Sequence, residues 1–275
     1  MVAVMQVHTA QLAGGENNAD RVFVTENAVI VLDGATAFEP VDVDPGTYAE
    51  TLGASIADQL DAAPDTNLTQ AVAEAIQNAA ANLHLRGDAS PSSTVSILRV
   101  RREAVDLYAL GDSPIYYGSG RAVHRLIDDR LAVLPLIERA RYVQALRSGA
   151  GYSGNHRNLL KRLQRAQGAL RNKPEGYWIA ETDPGAAAQA LTAAVAADQI
   201  DWAVLATDGA ADLIDHHGSP EWSAVAQRDS DGLMGLLCQI HEWEGVVDPE
   251  GRLLPRAKPH DDKTLAVVQG FCPPA

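Results

Sequence analysis

The chain has 275 residues, with 22 Lys plus Arg against 36 Asp plus Glu and a formal net charge of −14 with His neutral. That balance offers no long-range attraction to nucleic-acid backbones or anionic membranes, so neither is expected as a partner, whereas divalent cations are natural counterions. The composition, 46% hydrophobic and 21% charged, is that of a folded protein, and the two cysteines, Cys238 and Cys272, give neither a disulfide framework nor a CxxC metal pair, which fits a reducing cytoplasm. Residues Met1 to His8 lack a basic segment followed by a full apolar one, and no stretch reaches about 18 apolar residues, so a cytoplasmic location is expected.

Arg21 to Thr25 and Ala28 to Leu32 read as strands joined by the tight turn Glu26-Asn27. In a two-residue hairpin of that register Thr25 faces Ala28 and, at the far end, Asp20 faces Asp33. Pro45, after Asp44, opens a helix in which Tyr48, Leu52, Ile56 and Leu60 recur every four residues until Pro64. A second helix is predicted from near Asn67, with Gln70 as capping-box partner and Leu68, Val72, Ile76 and Leu83 recurring before Gly87. Thr94 to Arg101 and Ala104 to Leu110 form a second predicted hairpin, followed by a short strand at Ile115 to Tyr117.

From Leu126 to about Leu170 the spacing is helical, interrupted at Ser148 to Gly154; Tyr177 to Ala180 reads as extended and Ala186 to Ala197 as helical. Trp202 to Thr207 has the continuous apolar character of a buried strand. Helical stretches near Pro220 to Gln227 and Leu233 to Trp243 precede a last strand, Thr264 to Gln269. Strands arrive in hairpin-like pairs with helices between the blocks, which predicts antiparallel sheets covered by helices, as one domain over residues 1–275. Arg139 to Pro174 carries nine basic residues and no Asp or Glu, inside a helical segment at about 126–174.

Two carboxylates directly opposed across a hairpin repel unless a proton or a metal ion neutralises them, and oxygen-only ligands suit Mg²⁺ or Mn²⁺. The arrangement recurs: Asp33-Gly34, Gly111-Asp112 and Asp208-Gly209 each end an apolar strand, and Asp261-Asp262 immediately precedes one. Asp beside Gly is also ordinary turn chemistry, so the weight lies in the number of strand ends that carry an acid. The histidines make no HxxxH or HExxH spacing, which disfavours zinc, and His260 reads as an exposed loop residue. Ser92 and Ser93 read as turn or strand residues and not as nucleophiles, since no triad signature accompanies them.

In order, Asn18-Ala-Asp20, Val31-Leu-Asp33-Gly34, Ser92-Ser-Thr94, Leu110-Gly-Asp112-Ser113, Ala206-Thr-Asp208-Gly209 and Asp261-Asp262-Lys-Thr-Leu-Ala-Val267 resemble the motifs of the metal-dependent type 2C (PPM-type) serine/threonine protein phosphatases of bacterial kind. The likeness spans residues 17 to 268. It implies an α+β fold, a four-layer α-β-β-α sandwich of two antiparallel sheets flanked by helices, with a two-metal centre at one end. Carried over, Asp33 bridges two Mg²⁺ or Mn²⁺ ions, the Gly34 carbonyl binds one of them, and Asp208 and Asp262 bind the other. Asp20 holds a metal-bound water, and Asp112 with Asp208 holds a weaker third ion. Asp20, Asp33 and Asp208 are then the catalytic residues, and a phosphorylated protein is the substrate.

The sequence departs from that pattern at several points. The arginine that grips substrate phosphate about five residues before the Asp20 position is replaced by Gly15, between Gly14 and Glu16; Ala35 follows the first Asp-Gly, and Thr36-Ala37 replaces a glycine pair. Matched through Asp262, the asparagine of the last motif becomes Lys263. Arg21, and Arg157, Arg162 and Arg165 in a flap formed by the basic segment, are candidates to replace the missing clamp, since a guanidinium fork suits phosphate. The competing readings are a phosphatase-like binding module with slow turnover and a small-molecule phosphatase.

Overall fold

A computed structural model describes residues 5–86 and 89–271; Met1 to Val4 at the chain start, Gly87 after the second helix and Cys272 lie outside the described residues. Ten strands form two five-stranded antiparallel sheets. The first has the order β1-β10-β9-β6-β7, built from Gln6–Leu12, Lys263–Gln269, Trp202–Ala206, Ile115–Gly118 and His124–Leu126. The second has the order β2-β3-β4-β5-β8, built from Arg21–Val24, Ala28–Leu32, Val95–Val100, Ala104–Leu110 and Leu191–Ala196. Helices α1 (Pro45–Ala62) and α2 (Leu68–Asn82) cover the outer face of the second sheet, and α6 (Asp208–His217), α7 (Trp222–Val225) and α8 (Ser230–Val246) that of the first. Between β7 and β8 lie α3 (Arg130–Val133), α4 (Ile137–Arg147) and α5 (Gly154–Gly168). Among the described residues no helix is long and apolar enough to cross a membrane.

The predicted α-β-β-α sandwich is thus observed, and strand alternation explains it. On β3, Ala28, Ile30 and Leu32 point to α1 and α2, while Val29 and Val31 point to the other sheet. On β9, Trp202, Val204 and Ala206 face α6 to α8, and Ala203 and Leu205 face the second sheet. Both faces being buried, the central strands read as continuous apolar runs. Tyr48, Leu52, Ile56 and Leu60 of α1 are all fully buried, each contributing about 1.5–3 kcal/mol.

The β2–β3 hairpin has the predicted register, with Arg21 opposite Leu32 and Val24 opposite Val29, closed by Thr25 N–H donating to Ala28 O at 2.9 Å. Asp44 and Asn67 cap α1 and α2 through the amides of Thr47 and Gln70. Gln70 does not close a capping box, because its side chain donates to Glu74 instead. The helix predicted over Ala186 to Ala197 is corrected: a 3₁₀ turn at Pro184–Gln189 gives way to strand β8, paired along β5. Its alanines favour a helix locally, but the free edge of β5 and the alternate burial of Ala193 and Val195 against the inter-sheet core outweigh that preference.

Candidate metal centre

The site assembles where one end of each sheet meets the other. The second sheet supplies Asp20, just before β2, Asp33, just after β3, and Asp112, in the turn after β5. The first supplies Asp208, the opening residue of α6 after β9, and Asp261, two residues before β10. Burial pushes Asp33 and Asp208 well above the ordinary carboxylate range; Asp20 and Asp208 raise Asp33 further, and Asp261, Asp112 and Asp212 raise Asp208. The Asp33 and Asp208 carboxyls act directly on each other, and two adjacent negative charges call for a proton or a cation to offset them.

Asp20 is 1% exposed, and its Oδ2 accepts hydrogen bonds from the hydroxyls of Thr207 and Thr264, both at 2.8 Å. Those donors, which hold the carboxylate form, are outweighed by burial, and Asp20 is pushed up to about 7. Its other oxygen, Oδ1, is buried without a hydrogen-bond partner. Asp33 is fixed at both ends of its peptide by Thr94, whose Oγ1 accepts from Asp33 N–H at 3.1 Å and whose N–H donates to Asp33 O at 3.0 Å. Asp112 is raised by burial and by Asp128, with Arg139 of α4 acting in the opposite sense.

Asp262 has a structural task of its own. Its Oδ1 accepts from Gly14 N–H at 2.8 Å and its Oδ2 from Ala19 N–H at 3.0 Å, so its carboxylate ties the β1–β2 loop to the start of β10. Asp261 lines the same cleft as Asp208, and its charge raises Asp20, Asp33, Asp208 and Asp212, with Asp262 also raising Asp20. The backbone packs tightly around this pair, since a Cβ on Gly209 would lie 2.1 Å from Asp262 O and one on Gly14 2.6 Å from the Asp261 carbonyl carbon. A signal for Asp261 was in the sequence: set against an Asp-Asn pattern, Asp261-Asp262 puts an acid where an amide stands, a smaller change than lysine for asparagine.

No protein-family model and no curated protein sequence matches the chain. Among solved structures it is similar to the PPM Ser-Thr phosphatase MsPP from Mycobacterium smegmatis, in complex with cacodylate, at 18% identity and TM-score 0.56 over 98% of this chain and 99% of that one. It is similar to the Mycobacterium tuberculosis phosphatase PstP/Ppp at 15% identity and TM-score 0.59, over 97% and 98%, and to Stp1 from Staphylococcus aureus at 13% and 0.58, over 98% and 95%. The chain has the PPM phosphatase fold. A further structure with the PPM fold, the catalytic domain of PstP, at 14% identity and TM-score 0.57 over 98% of this chain and 99% of that one, is in complex with two manganese ions.

On this chain's version of the PPM fold, the basic segment forms α4 and α5, and much of its charge is already engaged. Arg165 pairs with Glu39 at 2.8 Å, Lys161 with the same carboxylate at 3.8 Å, and Arg171 with Glu181 at 2.6 Å. Gln164 accepts from the amides of Phe38 and Glu39, docking α5 on the loop that follows Asp33-Gly34. Arg157 and Arg162 are exposed, and Arg162 lines a shallow groove with Asn155, Asn158, Lys161 and Arg165. Arg21 does not face the cluster: its Nε pairs with Glu50 at 2.7 Å and its Nη1 donates to the carbonyls of Asn18 and Asp20, which corrects its expected role toward phosphate. Ser93 is fully buried in strand-like pairing with Ala180.

A cleft lined by Tyr142 of α4, Asp208, Asp212, Leu254, Ala257 and Asp261 runs into the cluster, so α4 and the 248–261 loop form its walls. That loop is heavily braced. Asp248 accepts from the amides of Arg252, Leu253 and Leu254 and from Arg256 Nη1, while Arg256 also donates to the carbonyls of Glu244, Asp248, Leu254 and Pro259. His260 is half-buried and not an exposed loop residue; its Nδ1 lies 2.9 Å from Glu244 Oε2, which also holds the fully buried Lys263 at 2.7 Å. His241, Glu244 and His260 place donor atoms within 4.8 Å of one another, but Lys263 already supplies the cation, and the group acts as the loop's anchor.

Proposed function

We propose that the chain is a Mg²⁺- or Mn²⁺-dependent phosphatase acting on phosphoserine or phosphothreonine in proteins. Two ions would be held by Asp20, Asp33 with the Gly34 carbonyl, Asp208 and Asp261, and a weaker third by Asp112 with Asp208. The observation that carries the reading is the convergence of carboxyls from both sheets, more of them than the nearby cations offset, with Asp20 Oδ1 buried and partnerless among them. A donor set made only of oxygen fits hard divalent ions and not a soft metal.

Divalent ions bound there lower the pKa of water and neutralise phosphoryl oxygens, the two things a very slow phosphate-monoester hydrolysis needs. The chain's own groups set the stage. Thr207 and Thr264 hold Asp20 Oδ2, leaving Oδ1 free to accept a proton or a hydrogen bond in the cluster. Thr94 fixes the Asp33 backbone, and Ser113 in turn holds Thr94 at 2.7 Å. Asp208 sits in the first turn of α6, where the helix favours a negative charge. Arg157 and Arg162, exposed on α5, would meet the acidic or phosphorylated surroundings of the target serine.

The test is Mn²⁺-dependent hydrolysis of p-nitrophenyl phosphate and of a phosphothreonine peptide by wild type and Asp208→Asn. The expected loss in the variant is roughly 100-fold on both substrates. Turnover that is equal in the two proteins rejects the centre. The rival reading, a binding module with slow turnover, draws on Gly14 and Gly15 where a phosphate-gripping side chain was expected; it predicts Mn²⁺ binding by wild type with no turnover of either substrate. Turnover of the aryl phosphate but not of the peptide points to a small-molecule phosphatase.

A further inference from the structure

We infer that Lys258 is the phosphate-binding cation of this centre, and that its ammonium rests on Asp261 until divalent ions take that carboxylate. The inference rests on the proposed function and assigns a side chain to a task left open by the glycines at positions 14 and 15.

Lys258 Nζ lies 2.6 Å from Asp261 Oδ1, and Asp33 and Asp262 also act on its charge. Its chain neighbour Ala257 and its partner Asp261 both line the cleft that reaches Asp208. The backbone on either side is pinned: His156 Nε2 lies 2.9 Å from Ala257 O, and Arg256 Nε donates to Pro259 O at 2.9 Å. The head group therefore swings from a fixed base over a short arc beside the carboxylate cluster. In the β1–β2 loop, Gly15 carries no side chain and a Cβ built on it meets nothing within 4 Å, so that position contributes no cation.

The other nearby cations are committed. Arg21 is held by Glu50 and two carbonyls, Arg256 by Asp248 and four carbonyls, and Lys263 by Glu244 and the Asp261 carbonyl, whereas Arg139, with one bond to Ala132 O, acts on Asp112 at the other end of the cluster. Among the described residues Lys258 makes one ion pair, with Asp261, and that partner is a proposed metal ligand. When divalent ions occupy Asp261, repulsion frees the ammonium, and the anion then within its reach is the substrate phosphoryl group. A lysine, compact and mobile, suits such an exchange better than a guanidinium fork.

The experiment uses the full chain with Lys258→Met and Lys258→Arg. Orthophosphate binding and the KM for p-nitrophenyl phosphate are measured at saturating Mn²⁺, and Mn²⁺ affinity is measured separately by calorimetry without substrate. Lys258→Met is expected to weaken orthophosphate binding and raise KM by roughly tenfold, the size of one lost charged hydrogen bond, while tightening Mn²⁺ binding. Lys258→Arg should recover most of the phosphate affinity. Phosphate binding within twofold of wild type in Lys258→Met overturns the inference, and weakened Mn²⁺ binding in that variant shows that the residue only supports the loop. A wild type that binds Mn²⁺ and orthophosphate but turns nothing over rejects the proposed function alone, and the binding measurements still decide the case of Lys258.

Discussion

Asp20 titrates near 7 because burial outweighs the two threonine hydroxyls that favour its charged form, with Asp262 and Asp261 adding repulsion. An unfolded aspartate titrates near 3.8, so between about pH 4 and pH 7 the folded state binds more protons than the unfolded one. The stabilisation linked to that proton is complete below pH 4 and is lost as pH rises through 7. Asp33 and Asp208 shift in the same direction, also through burial first. In chelator the melting temperature should therefore fall between pH 5 and pH 8, and Mn²⁺ should restore it most at the alkaline end, where no proton competes. A flat profile in chelator would contradict the raised carboxyls. The two adjacent acids before β10 also separate: Asp261→Asn should weaken Mn²⁺ binding at least tenfold, whereas Asp262→Asn should leave it nearly unchanged and cost about 1–3 kcal/mol in denaturant, because its NH₂ would face a backbone N–H.

Elements whose side chains are buried by their own periodicity could be read from the sequence. The β2–β3 register followed from turn length alone and set Asp20 opposite Asp33, while α1 followed from one row of four buried residues between Asp44 and Pro64. Strand β8 could not be read, because its extended state depends on β5, some eighty residues away, and not on its own alanines. The Asp261 assignment was hidden for a similar reason: which of two neighbouring carboxylates turns inward is decided by the amides of Gly14 and Ala19 across the sheet. Matched substitutions in the β1–β2 loop test that dependence. Gly14→Ala places a methyl 2.6 Å from Asp261 backbone and should displace the 260–262 segment, lowering both stability and Mn²⁺ affinity; Gly15→Ala meets nothing and should lower neither. Equal behaviour of the two variants in a calorimetric Mn²⁺ titration would mean that the loop does not set the position of Asp261. On α5, replacing exposed Arg157 and Arg162 by Ala should raise KM for a phosphoprotein several-fold with little change for p-nitrophenyl phosphate, since the aryl ester presents no surrounding chain for them to meet.

At the scale of the molecule the carboxylates divide between the sheets, Asp20, Asp33 and Asp112 on one and Asp208 and Asp261 on the other, with an apolar core of Val29, Val31, Leu205 and Ala266 joining the sheets beneath them. Part of the net charge of −14 is thus concentrated at one edge of the sandwich, where mutual repulsion pushes the sheet ends apart and that core holds them together. Under the proposed function, cations bound there would bridge the layers as well as act as reagents, so binding and folding would be linked: an ion at about 100 times its Kd would add about 2.7 kcal/mol, or roughly 5–10 °C in a chain of this length. Calorimetry in chelator and in Mn²⁺ should show that gain for wild type, and Asp208→Asn, which removes one side of the bridge, should lose most of it while melting higher than wild type in chelator, because a repelling charge is gone. The paired signs separate a bridge between sheets from a surface ion site, for which the substitution would abolish the Mn²⁺ effect and leave the metal-free protein unchanged.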